Sequence, residues 1–251
     1  MLLIVLLLIV FLAVNALITR WLTKRKPGNS FSGRSLGRLL GIGVLAGIIP
    51  VLFGLLVPDF HGMHPLLCGF LTGLVEYALV KEVFKYFALR IAIRCTEEIV
   101  CRYDVVLAAC LIAVGFTLSE GIITAFITGA GGLMMTILPY HILFAVVMGF
   151  FFSRALVTGK KRDLVLALVI PVVLHTVFEM WHFALLEAAG GSLDATLTAE
   201  QAAELPYYPL IPALTVISGV SYVVFIILMV VAFVMIGRWD KKEMLRERIG
   251  G

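Results

Sequence analysis

A carboxylate between two lysines lies inside an apolar stretch at Val80-Lys81-Glu82-Val83-Phe84-Lys85, late in a run that begins near Leu66. Three further apolar segments carry ionisable groups in their middles. These are Glu120 in Gly115-Phe116-Thr117-Leu118-Ser119-Glu120, His141 in Pro139-Tyr140-His141, and His175 with Glu179 in His175-Thr176-Val177-Phe178-Glu179. A charge at the centre of a bilayer costs roughly 2.5 to 3.5 kcal/mol on insertion scales, so residues kept there are functional candidates. Carboxylates and imidazoles offer two chemistries. In the first, Glu82 takes a proton from water while His141 and His175 stabilise the charge that develops on a carbonyl, with Glu120 orienting one of them. In the second, His141, His175 and Glu179 hold zinc, which lowers the pKa of its water. His175 and Glu179 are four residues apart and share a helix face, with His182 on the same stripe. Neither chemistry is selected by the residues alone, and the metal-free version is the one preferred; the cofactor is otherwise open.

The elements that must position these groups are membrane spans. Of the 251 residues, 61% are hydrophobic and 14% charged, with a mean hydropathy of +1.08. A soluble domain has about 45 to 50% apolar residues. The expected fold class is therefore all-α, a polytopic transmembrane helix bundle in a single integral membrane domain over 1–251. Continuous rather than alternating apolar segments exclude a transmembrane barrel. Seven spans are expected near 2–18, 39–57, 65–93, 105–128, 133–157, 164–187 and 210–236. Pro50 should kink the second, and Gly129-Ala130-Gly131-Gly132 should end the fourth. Thr198-Ala199-Glu200-Gln201 has the form of a capping box, which predicts a short helix to Leu205 before Pro206.

Lys and Arg cluster at alternate connections: before Leu39, between the third and fourth spans, between the fifth and sixth, and in the tail. The intervening connections carry none. This predicts an N-terminus outside and a C-terminus in the cytosol, in the cytoplasmic membrane. Counted from the cytosolic ends at about 1.5 Å per residue, Glu82, Glu120, His141, His175 and Glu179 all lie roughly 16 to 24 Å deep. A single polar site needs such a shared depth; unrelated interhelical hydrogen bonds can also produce it. The net charge of +4 carries no argument for nucleic acid, and the expected surroundings are the lipid bilayer.

Blander readings stand beside these. Lys81 and Lys85 can snorkel toward the interface with Glu82 in a local pair. Glu76 falls on a different face from Glu82. Glu97-Glu98-Ile99-Val100-Cys101-Arg102 reads as a solvated i,i+4 pair in a polar connection. Gly115 and Gly149 suit close helix packing. The four cysteines show no metal-ligand spacing, and a disulfide between Cys95 and Cys101 is not expected in a cytosolic loop.

From about Leu66 to Glu179 the chain resembles the PrsW family of intramembrane proteases, relatives of the CAAX-processing and bacteriocin-immunity proteases. That family carries Glu-Glu-x-x-Lys, then Phe-x-x-x-Glu, then a His after a Pro with a Gly further on, then His-x-x-x-Asp. Here Lys81-Glu82-Val83-Phe84-Lys85, Phe116 to Glu120, Pro139-Tyr140-His141 with Gly149, and His175 to Glu179 stand in the same order. Lys81 stands where the first Glu is usual and Glu179 where an Asp is usual. The resemblance implies a catalytic-like core over 66–187, with Glu82, Glu120, His141 and His175 as catalytic residues and Lys85, Glu179 and Phe116 supporting them. It implies an intramembrane endopeptidase that cleaves single-span membrane proteins such as an anti-sigma factor. Two alternatives remain: a proton- or cation-coupled transporter or channel using the buried Glu and His, and a catalytically inactive binding or immunity protein, which Lys81 favours. Pro50, Pro139 and Pro171 do not form matching halves, which counts against the transporter.

Overall fold

The computed structural model describes residues 2–26, 30–54, 60–137, 139–191 and 204–238. Among these the secondary structure is entirely helical. The helices are α1 (Leu2–Thr23), α2 (Gly33–Gly54), α3 (Pro65–Leu71), a π-helical segment (Thr72–Leu79), α4 (Val80–Cys95), α5 (Arg102–Ile137), α6 (Tyr140–Thr158), α7 (Lys161–Ala188), a 3₁₀ turn (Tyr208–Leu210) and α8 (Ile211–Arg238). α3, the π segment and α4 run on without a break as one long helix. Six of the other helical stretches are long and apolar enough to cross a membrane. The predicted helix near Thr198, the Pro27-Gly28-Asn29 turn and the tail beyond Arg238 lie outside the described residues.

α5 is the central helix. Every residue from Tyr103 to Thr117 is buried, because α1, α2, α4 and α6 all pack around it. A helix apolar all round can satisfy every face only in such a position. α1 and α8 occupy the periphery and present Leu3, Leu6, Ile9, Val220, Val223 and Ile227 outward. In lipid, close approach of backbones replaces the hydrophobic drive between helices. Gly43 and Gly47 of α2 accordingly lie against Ile112, Gly115 and Phe116 of α5, where any Cβ would collide with backbone. Gly149 meets the backbone of Val106 in the same way, so Gly115 and Gly149 serve packing, as expected.

Several boundaries differ from the sequence expectation. α5 continues past 128 as helix, but Gly129 breaks its axis at φ 70° and ψ −146°, a conformation open to glycine. Residues Leu133 to Ile137 belong to that continuation, and α6 begins at Tyr140 after Pro139 rather than at Leu133. α2 starts at Gly33, six residues earlier than predicted, because its start is capped from a distance. The Ser32 N–H and hydroxyl donate to the Glu98 carboxylate at 2.8 and 2.5 Å, and the Ser35 hydroxyl donates at 2.8 Å. Glu98 is thus a cap for α2, a role not read from its pattern with Arg102. The same end of the bundle holds the Lys26–Asp104 ion pair at 2.9 Å, the Arg38 to Cys95 carbonyl bond, and Arg154 on Asp163 at 2.9 Å. The basic connections therefore gather at one end.

Candidate functional site

The α3–α4 helix carries the first site residues, and its sequence shows how they are turned inward. Its buried positions run Cys68, Gly69, Gly73, then Ala78, then Lys81, Glu82, Lys85, Ala88, Leu89 and Ala92. The step from Gly73 to Ala78 is five residues, the spacing of a π turn, and it falls within Thr72–Leu79. Before the step the helix presents Gly69 and Gly73 to Met180 of α7 at backbone contact. After the step it presents Lys81, Glu82 and Lys85 to the interior. A regular α-helix continued from Gly73 would have turned Tyr77 and Phe84 there instead.

Seven ionisable side chains from four helices form one buried chain of contacts. Lys81 Nζ lies 2.6 Å from Glu120 Oε1, and Glu120 Oε2 lies 2.6 Å from His141 Nε2. On the other side of that ring, His141 Nδ1 accepts from Lys85 Nζ at 3.2 Å. Lys85 Nζ also donates to Glu82 Oε1 at 2.5 Å. The same Glu82 oxygen lies 2.7 Å from His175 Nδ1, and His175 Nε2 lies 3.6 Å from Glu179 Oε1. All seven residues are at most 8% exposed, and Glu82, His141 and His175 are fully buried. The lysines therefore do not snorkel. Lys81 also sits over the Tyr77 ring at 4.1 Å.

The contacts set the proton positions. A neutral His141 donates from Nε2 to Glu120, which leaves Nδ1 as acceptor for the Lys85 ammonium. His175 likewise donates from Nδ1 to Glu82. Two lysine ammonium groups face three carboxylates across the cluster. Two polar atoms within it have no hydrogen-bond partner: Glu82 Oε2 and His175 Nε2. An unpartnered buried polar atom costs about 1 to 3 kcal/mol, and both belong to one ion-paired unit. Aromatic rings wall the cluster. Phe144 stacks on His175 at 4.5 Å, and Phe116 meets His141 edge-on at 5.0 Å.

All of Glu82, Glu120, His141, His175, Lys85, Glu179 and Phe116 are brought together. Lys81, Tyr77 and Phe144 also belong to the cluster. Their sequence signal was helical spacing: Tyr77 and Lys81 precede Lys81 and Lys85 by four, and Phe144 follows His141 by three. For a metal, the donors that approach one another to within 4.8 Å are Glu82, His141 and His175. Glu179 is instead on the outer nitrogen of His175. The Lys85 ammonium already bridges Glu82 and His141, two of the three donors of that triad. The set as arranged fits an ammonium rather than zinc.

Comparison with known proteins gives three curated relatives, each named Protease PrsW. The one from Oceanobacillus iheyensis is 29% identical over 114 residues, 43% of this chain. The one from Halalkalibacterium halodurans is 27% identical over 161 residues, 60% of this chain. The one from Geobacillus kaustophilus is 29% identical over 149 residues, 57% of this chain. The matched region spans 53%, 73% and 64% of those relatives' own lengths, respectively. No family model matches the chain, and no solved structure matches it.

Proposed function

We propose that this chain, which is similar to proteins named Protease PrsW, is a member of that family and an intramembrane protease that hydrolyses peptide bonds of single-span membrane proteins at the Glu82 cluster. The relatives' name and six membrane-length apolar helices support a multi-pass membrane protease. The observation that carries the finer reading is at Glu82. Its Oε1 is held by Lys85 and His175, while its Oε2 has no hydrogen-bond partner among the described residues. A carboxylate held through one oxygen, with the other free to accept a hydrogen bond, is suited to take a proton from a water that reaches it.

In this reading Glu82 Oε2 accepts the proton of the attacking water. The new C–O bond forms at the scissile carbonyl, and its oxygen becomes an oxyanion. The Lys85 ammonium lies beside Glu82 and stabilises that charge, while His175 holds the Glu82 carboxylate in place. Collapse breaks the C–N bond, and Glu82 returns its proton to the leaving amine. Glu120 fixes the tautomer and orientation of His141, and Glu179 backs His175. Lys81 neutralises Glu120 where the family's first Glu is usual. In this reading the protein sits in the cytoplasmic membrane with the basic end of the bundle toward the cytosol.

A second reading has its own observation. Lys81 closes one oxygen of Glu120 at 2.6 Å, as expected of a non-catalytic binding or immunity protein. Cleavage of fluorophore–quencher single-span reporters in proteoliposomes separates the two. The protease reading expects products whose ends map within or beside the span, and a loss of about 100-fold or more in Glu120→Gln and His141→Ala. Reporter binding without cleavage by folded wild-type protein supports the second reading instead. Ion flux through the same liposomes that needs Glu82 would point to transport.

A further inference from the structure

At the opposite end of the bundle from the basic connections, three metal-type donors meet from three elements. His61 comes from the segment before α3, Cys68 from α3 and Glu187 from the end of α7. His61 Nδ1 lies 2.6 Å from Glu187 Oε2, and Cys68 Sγ lies 3.6 Å from the same oxygen. One ligand atom from each residue falls within 4.8 Å of the others. We propose that His61, Cys68 and Glu187 form a binding site for a zinc-class divalent cation, independent of the Glu82 cluster.

The donor chemistry selects the ion. A thiolate, an imidazole and a carboxylate are the ligand types of zinc, with bonds of about 2.0 to 2.3 Å in tetrahedral geometry. Such a geometry needs donor atoms roughly 3.3 to 3.8 Å apart. The Cys68–Glu187 separation is within that range, and His61 moves outward by about 1 Å to reach it. The fold holds the donors in place. Gly62 adopts φ 81°, which turns its N–H onto Glu187 Oε1 at 2.9 Å and fixes the carboxylate. Gly69 at backbone contact with Met180 and Ala184 sets α3 close on α7, so that Cys68 faces Glu187. Cys68 is 2% exposed, and its sulfur also lies 3.9 Å from Thr72 Oγ1. The His61 side chain is 60% exposed, which gives an ion access from solvent. Three protein ligands leave a fourth position for water.

On binding, the Cys68 thiol gives its proton to solvent and its sulfur bonds the metal. The ion ties the segment before α3 to the end of α7. The α3–α4 helix that follows this segment and α7 carry Glu82 and His175 further in. The site is thus a clamp across the pair of helices on which the catalytic geometry depends.

The test is titration of Co²⁺ into the purified full chain in detergent, in a Cys95→Ser background that removes the exposed thiol. The site predicts thiolate-to-cobalt charge-transfer absorption with the visible bands of four-coordinate cobalt, saturating at a single ion per chain. Zn²⁺ should abolish the bands by displacement and raise the thermal midpoint. Cys68→Ser should remove the charge-transfer band, and His61→Ala and Glu187→Gln should weaken binding by about tenfold or more. His175→Ala should leave the band intact, which separates this site from the buried triad. Absence of a charge-transfer band in folded protein, or a band unchanged in His61→Ala and Cys68→Ser, would overturn the proposal. His61 is exposed, so its variant tests the site even if Cys68→Ser does not fold.

Discussion

Glu82 has both of its partners on one oxygen. Lys85 and His175 converge on Oε1, and the pairing continues outward on both sides to Lys81 and Glu179. Each member of such a chain is balanced by its neighbours, so removing one leaves an uncompensated buried charge. Lys81→Met should destabilise the protein by about 3 kcal/mol or more by exposing Glu120 to this penalty, read as a lowered midpoint of thermal unfolding. Lys81→Met combined with Glu120→Gln should recover part of that loss, because both charges are then gone. Equal and additive losses would show that the pair is not coupled. The carboxylates and histidines were legible in the sequence because charge in an apolar run stands out. The part played by Lys81 was not. A lysine in an apolar helix can extend toward water or turn inward, and only the position of Glu120, 39 residues away, decides which.

The elements position these groups through small residues and one irregularity. The five-residue step from Gly73 to Ala78 re-aims the helix between its packing face and its polar face. The sequence hides this step, because Gly73 and Ala78 at its two ends are small and suit either period. Gly69→Leu should drive its side chain into the Met180 carbonyl and Ala184, at a cost of about 1 to 3 kcal/mol. It should reduce cleavage as well, since the α3–α4 helix carries Glu82 and α7 carries His175; unchanged stability would contradict the packing.

The α2 cap makes a second prediction at this scale. The Ser32 hydroxyl bonded to Glu98, with help from Ser35 and Lys26, holds the Glu98 carboxyl below the usual carboxylate range. A carboxyl depressed in the folded state contributes stability above its ordinary value near about 4.3 and loses it as the pH falls lower. Thermal stability should therefore drop on acidification below about pH 4, and Glu98→Gln should flatten that drop. Because Glu98 is partly exposed, the effect should be small. An identical acid profile in the variant would remove Glu98 from the account. The cap was invisible in sequence because Ser32 and Glu98 are 66 residues apart, and no local pattern joins them.

For the whole molecule, six of the predicted spans match long apolar helices and the seventh is the charged α3–α4 helix. Composition and periodicity made the bundle legible, since apolar length is what a bilayer demands. The kinked continuation of α5 was not legible, because Gly129 bends a helix at a point where glycines more often end one. Orientation rests on the basic connections and can be tested with a thiol. Cys95 is exposed at the basic end, whereas Cys68, Cys101 and Cys110 are buried. Burial also pushes the Cys101 thiol up to about 11, well away from reactivity at neutral pH. A membrane-impermeant maleimide should label Cys95 in inverted vesicles and not in intact cells. The reverse pattern would invert the proposed topology.

The central claim is that Glu82 activates water in a buried ion-paired site. The direct measurement compares wild-type and Glu82→Gln in proteoliposomes on the same single-span reporter, with thermal midpoints recorded for both. Glutamine keeps the shape and still accepts from Lys85, but it cannot take a proton from water. The account predicts that Glu82→Gln remains folded and loses about 100-fold or more of its cleavage rate. A folded Glu82→Gln protein that cleaves at the wild-type rate would contradict it.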